Sequence, residues 1–265
     1  MELVARRNTN KVKLSPGKLL CNYQRMLIYY RAGNMKLLST GIQGLDELLN
    51  GGVPEKHMIS VIGGMGTGKT TLALQFLMSG LQNGERAVYM SLEEHEDAIK
   101  ESADSYGWDI QRYIDNGTLA LIRLDPNDIK TTLTRIKSEL PGLIRKFGAT
   151  RLVMDSITLF EMMFCDEAER RLNLFELFAI FKDTGVTALV TSEADKNLFY
   201  ASRYGLVEYI SDGVIVLRYV RPDALRDVKL AAEVVKMRRH KHSRGIKPYD
   251  ITDSGLVVHS ESEVF

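Results

Sequence analysis

The chain has 265 residues, 45% of them hydrophobic and 26% charged, with a formal net charge of +1. That length suits one α/β domain with a large core, or a domain plus an appendage. The balanced charge means that any nucleic-acid or acidic partner has to be met by a local patch. Cys21 and Cys165, the two cysteines, stand far apart with no Cys or His at metal-ligand spacing. This argues against a disulfide scaffold or a zinc site and fits a reducing cytosol. The longest apolar runs are strand-sized, and the N-terminus lacks the features of a secretory signal. A cytoplasmic location with no membrane partner is therefore expected.

Residues 1–34 differ from the rest: Arg6, Arg7, Lys11, Lys13, Lys18, Arg25 and Arg31 face the single acid Glu2. Leu19, Leu20 and Met26 to Tyr30 allow one short amphipathic helix. Two readings stand, a basic arm that touches nucleic acid, an anionic membrane or another subunit, and a loose extension. From Met35 the pattern is regular. Leu45 to Leu49 reads as a short helix closed by Asn50-Gly51-Gly52, and Pro54 breaks the chain before the buried-strand candidate Met58 to Ile62.

A Gly-rich loop follows, and Thr71 to Leu77 continues as a helix. Strands are then expected at 87–92, 119–122, 152–154 and 186–190, with helices at 94–106, about 128–146 and 167–182. Strands alternating with helices predict an α/β fold, a mostly parallel central sheet flanked by helices. After residue 212 the rhythm changes to the successive strands 214–219, 229–237 and 248–251, an antiparallel C-terminal extension. The domain reading is a basic extension at 1–34, one α/β domain at 35–258 and a tail at 259–265.

Gly63-Gly64-Met65-Gly66-Thr67-Gly68-Lys69-Thr70 satisfies G-x-x-x-x-G-K-[ST] between a predicted strand and a predicted helix. The glycines allow a tight turn whose N–H groups point at phosphate oxygens, and the helix that runs on through Thr71 adds the positive end of its dipole. Lys69 is expected near the β- and γ-phosphates of ATP, and the Thr70 hydroxyl on Mg²⁺. Asp155, ending the strand after Met154, is the candidate acid for the metal. Glu93 and Glu94, where the second strand runs into its helix, are candidates to orient or deprotonate water. The competing reading makes them helix-start acids, as Glu96 and Asp97 are read. Glu193, after the strand at 186–190, is a further candidate to sense the γ-phosphate.

Lys236, Arg238, Arg239, His240, Lys241, His242, Arg244 and Lys247 form a cationic run. A phosphate-directed role, a solvated hairpin tip and a nucleic-acid contact are all open to it. Tyr106 and Trp108 are expected to pack under a helix end, and Met162, Met163 and Phe164 to fill the core or a subunit interface.

Together these residues resemble the KaiC family of RecA-like P-loop ATPases. Ser39-Thr40-Gly41-Ile42, Leu45-Asp46 and Gly51-Gly52-Val53-Pro54 are similar to the family's opening, and the phosphate loop follows. Ser91-Leu92-Glu93-Glu94 resembles its paired catalytic glutamates, and Asp155-Ser156 its metal-site strand. Tyr204-Gly205, Ile210 to Ile215 and Pro248 to Gly255 resemble its closing segments. Lys236-Met237-Arg238 matches a K-x-R motif that, in the family, reaches the γ-phosphate bound by the neighbouring subunit. The resemblance implies a slow ATPase and a homo-oligomer, usually a hexameric ring, with ATP sites between subunits. It implies regulation or assembly work with a protein partner that the residues do not identify. The other class to weigh is a recombinase relative that binds DNA. Three departures are visible: one domain where the clock protein has two, Glu208-Tyr209 in place of a phosphorylated Ser-Thr pair, and Arg239 in place of a glycine after K-x-R.

Overall fold

The computed structural model of the protein describes residues 36–125, 127–198, 200–220 and 228–264, so the basic leader and Cys21 lie outside the described residues. The fold opens with β1 (Leu37–Leu38), which pairs antiparallel with β2 (Val53–Pro54) around the short helix α1 (Leu45–Leu48). Pro54 therefore belongs to a strand where the sequence suggested only a break. Asp46 stitches the opening segment, accepting from Thr40 N at 2.8 Å and from the Ser39 and Thr40 hydroxyls at 2.6 Å each.

Next come β3 (Met58–Gly63), α2 (Lys69–Gln82), β4 (Ala87–Ser91), α3 (Glu96–Asp104), the short α4 (Gln111–Asp115) and β5 (Leu119–Arg123). The single helix expected near 128–146 is α5 (Ile129–Thr134), a π turn at Arg135–Glu139 and α6 (Leu140–Phe147), running one into the next. Pro141 lies in the first turn of α6 and has no N–H to give to the i−4 carbonyl. A locally wider turn ahead of it absorbs that break. Then follow β6 (Arg151–Asp155), α7 (Ile157–Met162), α8 (Glu167–Thr184), β7 (Thr187–Glu193) and α9 (Val207–Ile210). The ends of α8 are written locally. The Asp166 carboxylate accepts from Glu169 N at 2.9 Å, and Gly185 closes the helix at φ 78°. The chain finishes with β8 (Gly213–Val220), β9 (Lys229–Met237), β10 (Lys247–Thr252) and β11 (Gly255–Val258).

The nine-stranded sheet runs β11-β10-β9-β8-β3-β7-β6-β4-β5. From β8 to β5 every pairing is parallel, while β9, β10 and β11 add antiparallel strands beyond β8. Side chains alternate between two apolar layers, as strand geometry requires. Val61, Tyr89, Val153 and Leu189 pack with Leu72 and Phe76 of α2 and Ile99 of α3. Met58, Val88, Leu152, Met154 and Val190 face Ile144 of α6 and Leu174, Phe178 and Phe181 of α8.

Trp108 packs on the α2 side, its ring 4.8 Å from that of Tyr106, whose hydroxyl lies 3.0 Å from Thr71 Oγ1. Met163 and Phe164 are buried, while Met162 is exposed. Arg151 is the largest fully buried side chain, held by Glu85 at 2.9 and 3.0 Å and stacked over Phe76. Paired and hydrogen-bonded in this way, its charge is tolerated in the interior. Past β11, His259 N donates to Pro248 O at 2.9 Å and Val264 is buried, so the last described residues pack on the domain.

Candidate functional site

Parallel registry brings the ends of several strands to one edge. Gly63 lies beside Glu193, and Ser91 beside Asp155. The loop 63–70 leaves β3 there and turns back into α2. Gly63 has to be glycine, because a Cβ would stand 2.5 Å from Thr67 Oγ1 and 2.8 Å from Leu217 O. Gly68 takes φ 79° just before α2, where no side chain caps the helix. The first N–H groups of α2 thus remain available to an anion. Thr67 Oγ1 and Lys69 Nζ both donate to Gly64 O, at 2.8 and 2.9 Å, and Tyr249 OH donates to Thr67 O at 2.6 Å. The antiparallel extension therefore braces the loop from β10. Met65, at the tip, is 90% exposed.

Asp155 and Thr70 meet directly: Thr70 Oγ1 donates to Asp155 Oδ2 at 2.8 Å. Tyr89 OH donates to the same oxygen at 2.8 Å, and Thr191 Oγ1 donates to Oδ1. Tyr89 and Thr191 were missed in the sequence. Each lies on a strand expected there, or just past its end, but only the pairing order brings β4 and β7 to either side of β6. The Asp155–Ser156 peptide is cis.

Glu93 and Glu94 leave β4 in a turn anchored by Ser91. The Ser91 hydroxyl donates to Glu94 O at 2.7 Å and accepts from Glu94 N at 2.9 Å. Neither glutamate is in a helix, since α3 begins at Glu96. Glu96 and Asp97 are the helix-start acids, as expected. Burial pushes the Glu93 and Glu94 carboxyls up from the ordinary range, and Asp155 adds to the effect. Glu94 Oε2 is buried without a hydrogen-bond partner. Burial lowers the Lys69 ammonium, opposed by Asp155, Glu193 and Glu93. Glu193 is tied to Arg203 at 2.8 Å.

Lys236 and Arg238 lie elsewhere. Lys236 pairs with Val214 and Met237 with Gly213, which sit beside Ser60 and Ile59 near the start of β3. At about 3.3 Å per residue they stand roughly 10–13 Å back along the sheet from the loop. Lys236 Nζ donates to Glu208 O and Ser211 O at 2.8 and 2.6 Å, and Arg238 Nη2 donates to Tyr209 O at 2.9 Å. Burial, and then Arg238, lower the Lys236 ammonium to about 8.

Beside this edge, Glu161 of α7 is fully buried and neither carboxylate oxygen has a partner. Arg170, which would neutralise it, donates instead to the Glu161 and Phe164 carbonyls at 3.0 and 2.7 Å. Burial raises its carboxyl to about 8. The group is then protonated in the folded state and ionised in the unfolded chain between pH 4.5 and 8. Folding stability drawn from it is complete below pH 4.5 and is lost as pH rises to about 8. Glu161→Gln is expected to flatten that decline and to stabilise the protein by a few kcal/mol (about) at pH 8.5. Denaturant titrations at pH 5 and 8.5 check it, and equal losses in both proteins would contradict it.

A phosphate loop after the middle strand of a nine-stranded, mostly parallel sheet, with antiparallel strands closing one side, is the RecA-like fold of P-loop ATPases. Within that class the chain belongs to the KaiC family: the family model described as "ATPase: KaiC" matches residues 38–263. Among curated relatives it is 31% identical over 240 residues to the circadian clock protein KaiC3 of Synechocystis, covering 88% of this chain and 47% of that protein. It is 32% identical over 240 residues to a UPF0273 protein of Pyrococcus furiosus, covering 86% of this chain and 95% of that protein. The chain thus spans less than half of the clock protein and nearly all of the archaeal one. The crystal structure of a KaiC-like protein from Pyrococcus horikoshii superposes with a TM-score of 0.75 at 34% identity, covering 85% of this chain and 99% of that one. Nucleotide binding is what the family implies. Among the described residues no helix is long and apolar enough to cross a membrane.

Proposed function

We propose that the protein binds ATP with Mg²⁺ at residues 63–71 and hydrolyses it slowly at interfaces between copies of itself, as a cytoplasmic regulatory or assembly ATPase. The ATPase unit is 35–258, with the basic extension before it and the short tail after. The observation that carries the reading is the Thr70–Asp155 contact at 2.8 Å, a hydroxyl and a carboxylate converging beside Lys69. Two hard oxygen donors beside an N–H cradle suit Mg²⁺. Thr70, directly, and Asp155 would hold the ion, which when bound neutralises charge on the β- and γ-phosphates. The loop N–H groups and Lys69 bind and orient the phosphates. Glu94, with its unpaired buried oxygen, and Glu93 orient a water and accept its proton.

The K-x-R segment stands roughly 10–13 Å back along the sheet from its own loop. The role of Lys236 and Arg238 at phosphate is therefore across a boundary, with the C-terminal end of β9 in one copy meeting the loop of the next. Such a head-to-tail contact closes into a ring, and a hexamer is the expected form.

The test mixes two variants. Arg238→Ala subunits keep the loop and Lys69→Ala subunits keep the finger, so each homogeneous ring should be nearly inactive. In an equal mixture about a quarter of the interfaces join an intact loop to an intact finger. Turnover should return towards about a quarter of the wild-type rate. Mixed rings that form and stay inactive would sink the interface assignment.

A further inference from the structure

Asp212 lies between α9 and β8 with its side chain 2% exposed. It is fixed from two sides that have nothing to do with the cationic run. Its N–H donates to Met58 O at 2.8 Å, and Met58 N donates to Oδ2 at 3.2 Å, clamping it to the start of β3. Lys182, in the last turn of α8, reaches the carboxylate at 3.1 Å. A buried carboxylate held in this way is a rigid anion, its charge compensated within the fold.

On its open side it meets Arg238 Nη1 at 3.6 Å and Arg239 Nη2 at 3.7 Å, and its backbone carbonyl accepts from Arg238 N at 2.8 Å. The same turn presents the Glu208, Tyr209 and Ser211 carbonyls that hold Lys236 and Arg238. These are the last carbonyls of α9 and the residue after it, where cations are favoured. Both long side chains of the K-x-R motif are thus aimed by one turn, and Asp212 anchors that turn. At 3.6 Å the contact with Arg238 Nη1 is an ion pair and not a tight hydrogen bond. It can set the direction of the guanidinium without taking the hydrogen bond that a phosphate oxygen would accept.

We propose that Asp212 is a positioning residue for phosphoryl transfer at the subunit interface, presetting Arg238, with Lys236 on the same turn, for the γ-phosphate of ATP bound by the neighbouring copy. A long cation loses rotamer freedom whenever it engages a ligand, and a preset one has already lost it. The inference rests on the interface reading above and adds the group that makes the finger rigid.

The experiment uses the full chain assembled with Mg-ATP and measures turnover and ATP affinity separately. Asp212→Asn is expected to bind ATP within about twofold of wild type yet to turn it over roughly 10- to 100-fold more slowly, the scale of a misplaced reacting group. In the Arg238→Ala background it should add no further loss, because two residues acting through one finger are not additive. Mixed with Lys69→Ala subunits it should regain activity as Arg238→Ala does. Asp212→Glu keeps the charge and moves the carboxylate by about one bond length, so the same split of turnover from affinity is expected should the Asn variant fail to assemble.

Wild-type turnover in either assembled variant, or a loss that multiplies with Arg238→Ala, overturns the proposal while leaving the interface reading intact. Arg238→Ala at full turnover, or failing to complement Lys69→Ala, removes both.

Discussion

Lys69→Ala is expected to weaken ATP binding by about 2–5 kcal/mol, roughly 30- to 5,000-fold. The loop N–H groups and the start of α2 supply partial charges only, and Lys69 is the one full positive charge within the loop. Its ammonium is largely withdrawn from solvent, and it already lies 2.9 Å from Gly64 O. Losing it leaves a polyphosphate against dipoles alone. The fold should survive, since the loop stays braced by Thr67 and Tyr249. Titration calorimetry with Mg-ATP measures the effect. Unchanged affinity in a folded Lys69→Ala protein would end the phosphate-loop reading.

The sheet was legible because its signal is periodic and local. Apolar runs such as Met58 to Ile62 and Leu152 to Met154, each bounded by turns, specify buried parallel strands whatever their neighbours are. The loop was legible because glycine at 63, 66 and 68 with Lys69-Thr70 is a chemical requirement written in consecutive residues. Pairing order was not. Nothing near Thr191 or Tyr89 says that their hydroxyls converge on Asp155, because that depends on β7 and β4 flanking β6.

The place of Lys236 and Arg238 was hidden for the same reason. Their motif suggested phosphate, but only the antiparallel registry of β9 on β8 puts them a strand's length from their own loop. Asp212 stands out in sequence only as part of the segment before the last strands. Its ties to Met58, Lys182 and Arg238 come from three separate segments.

Glu93→Gln combined with Glu94→Gln should retain ATP affinity and lose turnover by about 10²- to 10⁴-fold, the range for removal of a general base. Glutamine keeps the size and the polar end of each side chain, so the Ser91-anchored turn, which uses only backbone groups of 93 and 94, should persist. What disappears is the capacity to take a proton from water. The same carboxyls set the pH dependence of the wild type. Burial first, and then the negative charge of Asp155, hold both above the ordinary carboxylate value. The active form is the ionised one, so kcat/KM, which reports the free enzyme, should fall on acidification at a pH above that of an exposed glutamate. A midpoint at or below the exposed value, or a double variant that hydrolyses ATP at the wild-type rate, would place the base elsewhere on this edge. Glu193 is then the carboxylate to examine, since it sits beside Gly63 and acts on Lys69, but it is held by Arg203 at 2.8 Å and would have to leave that pair to reach a water.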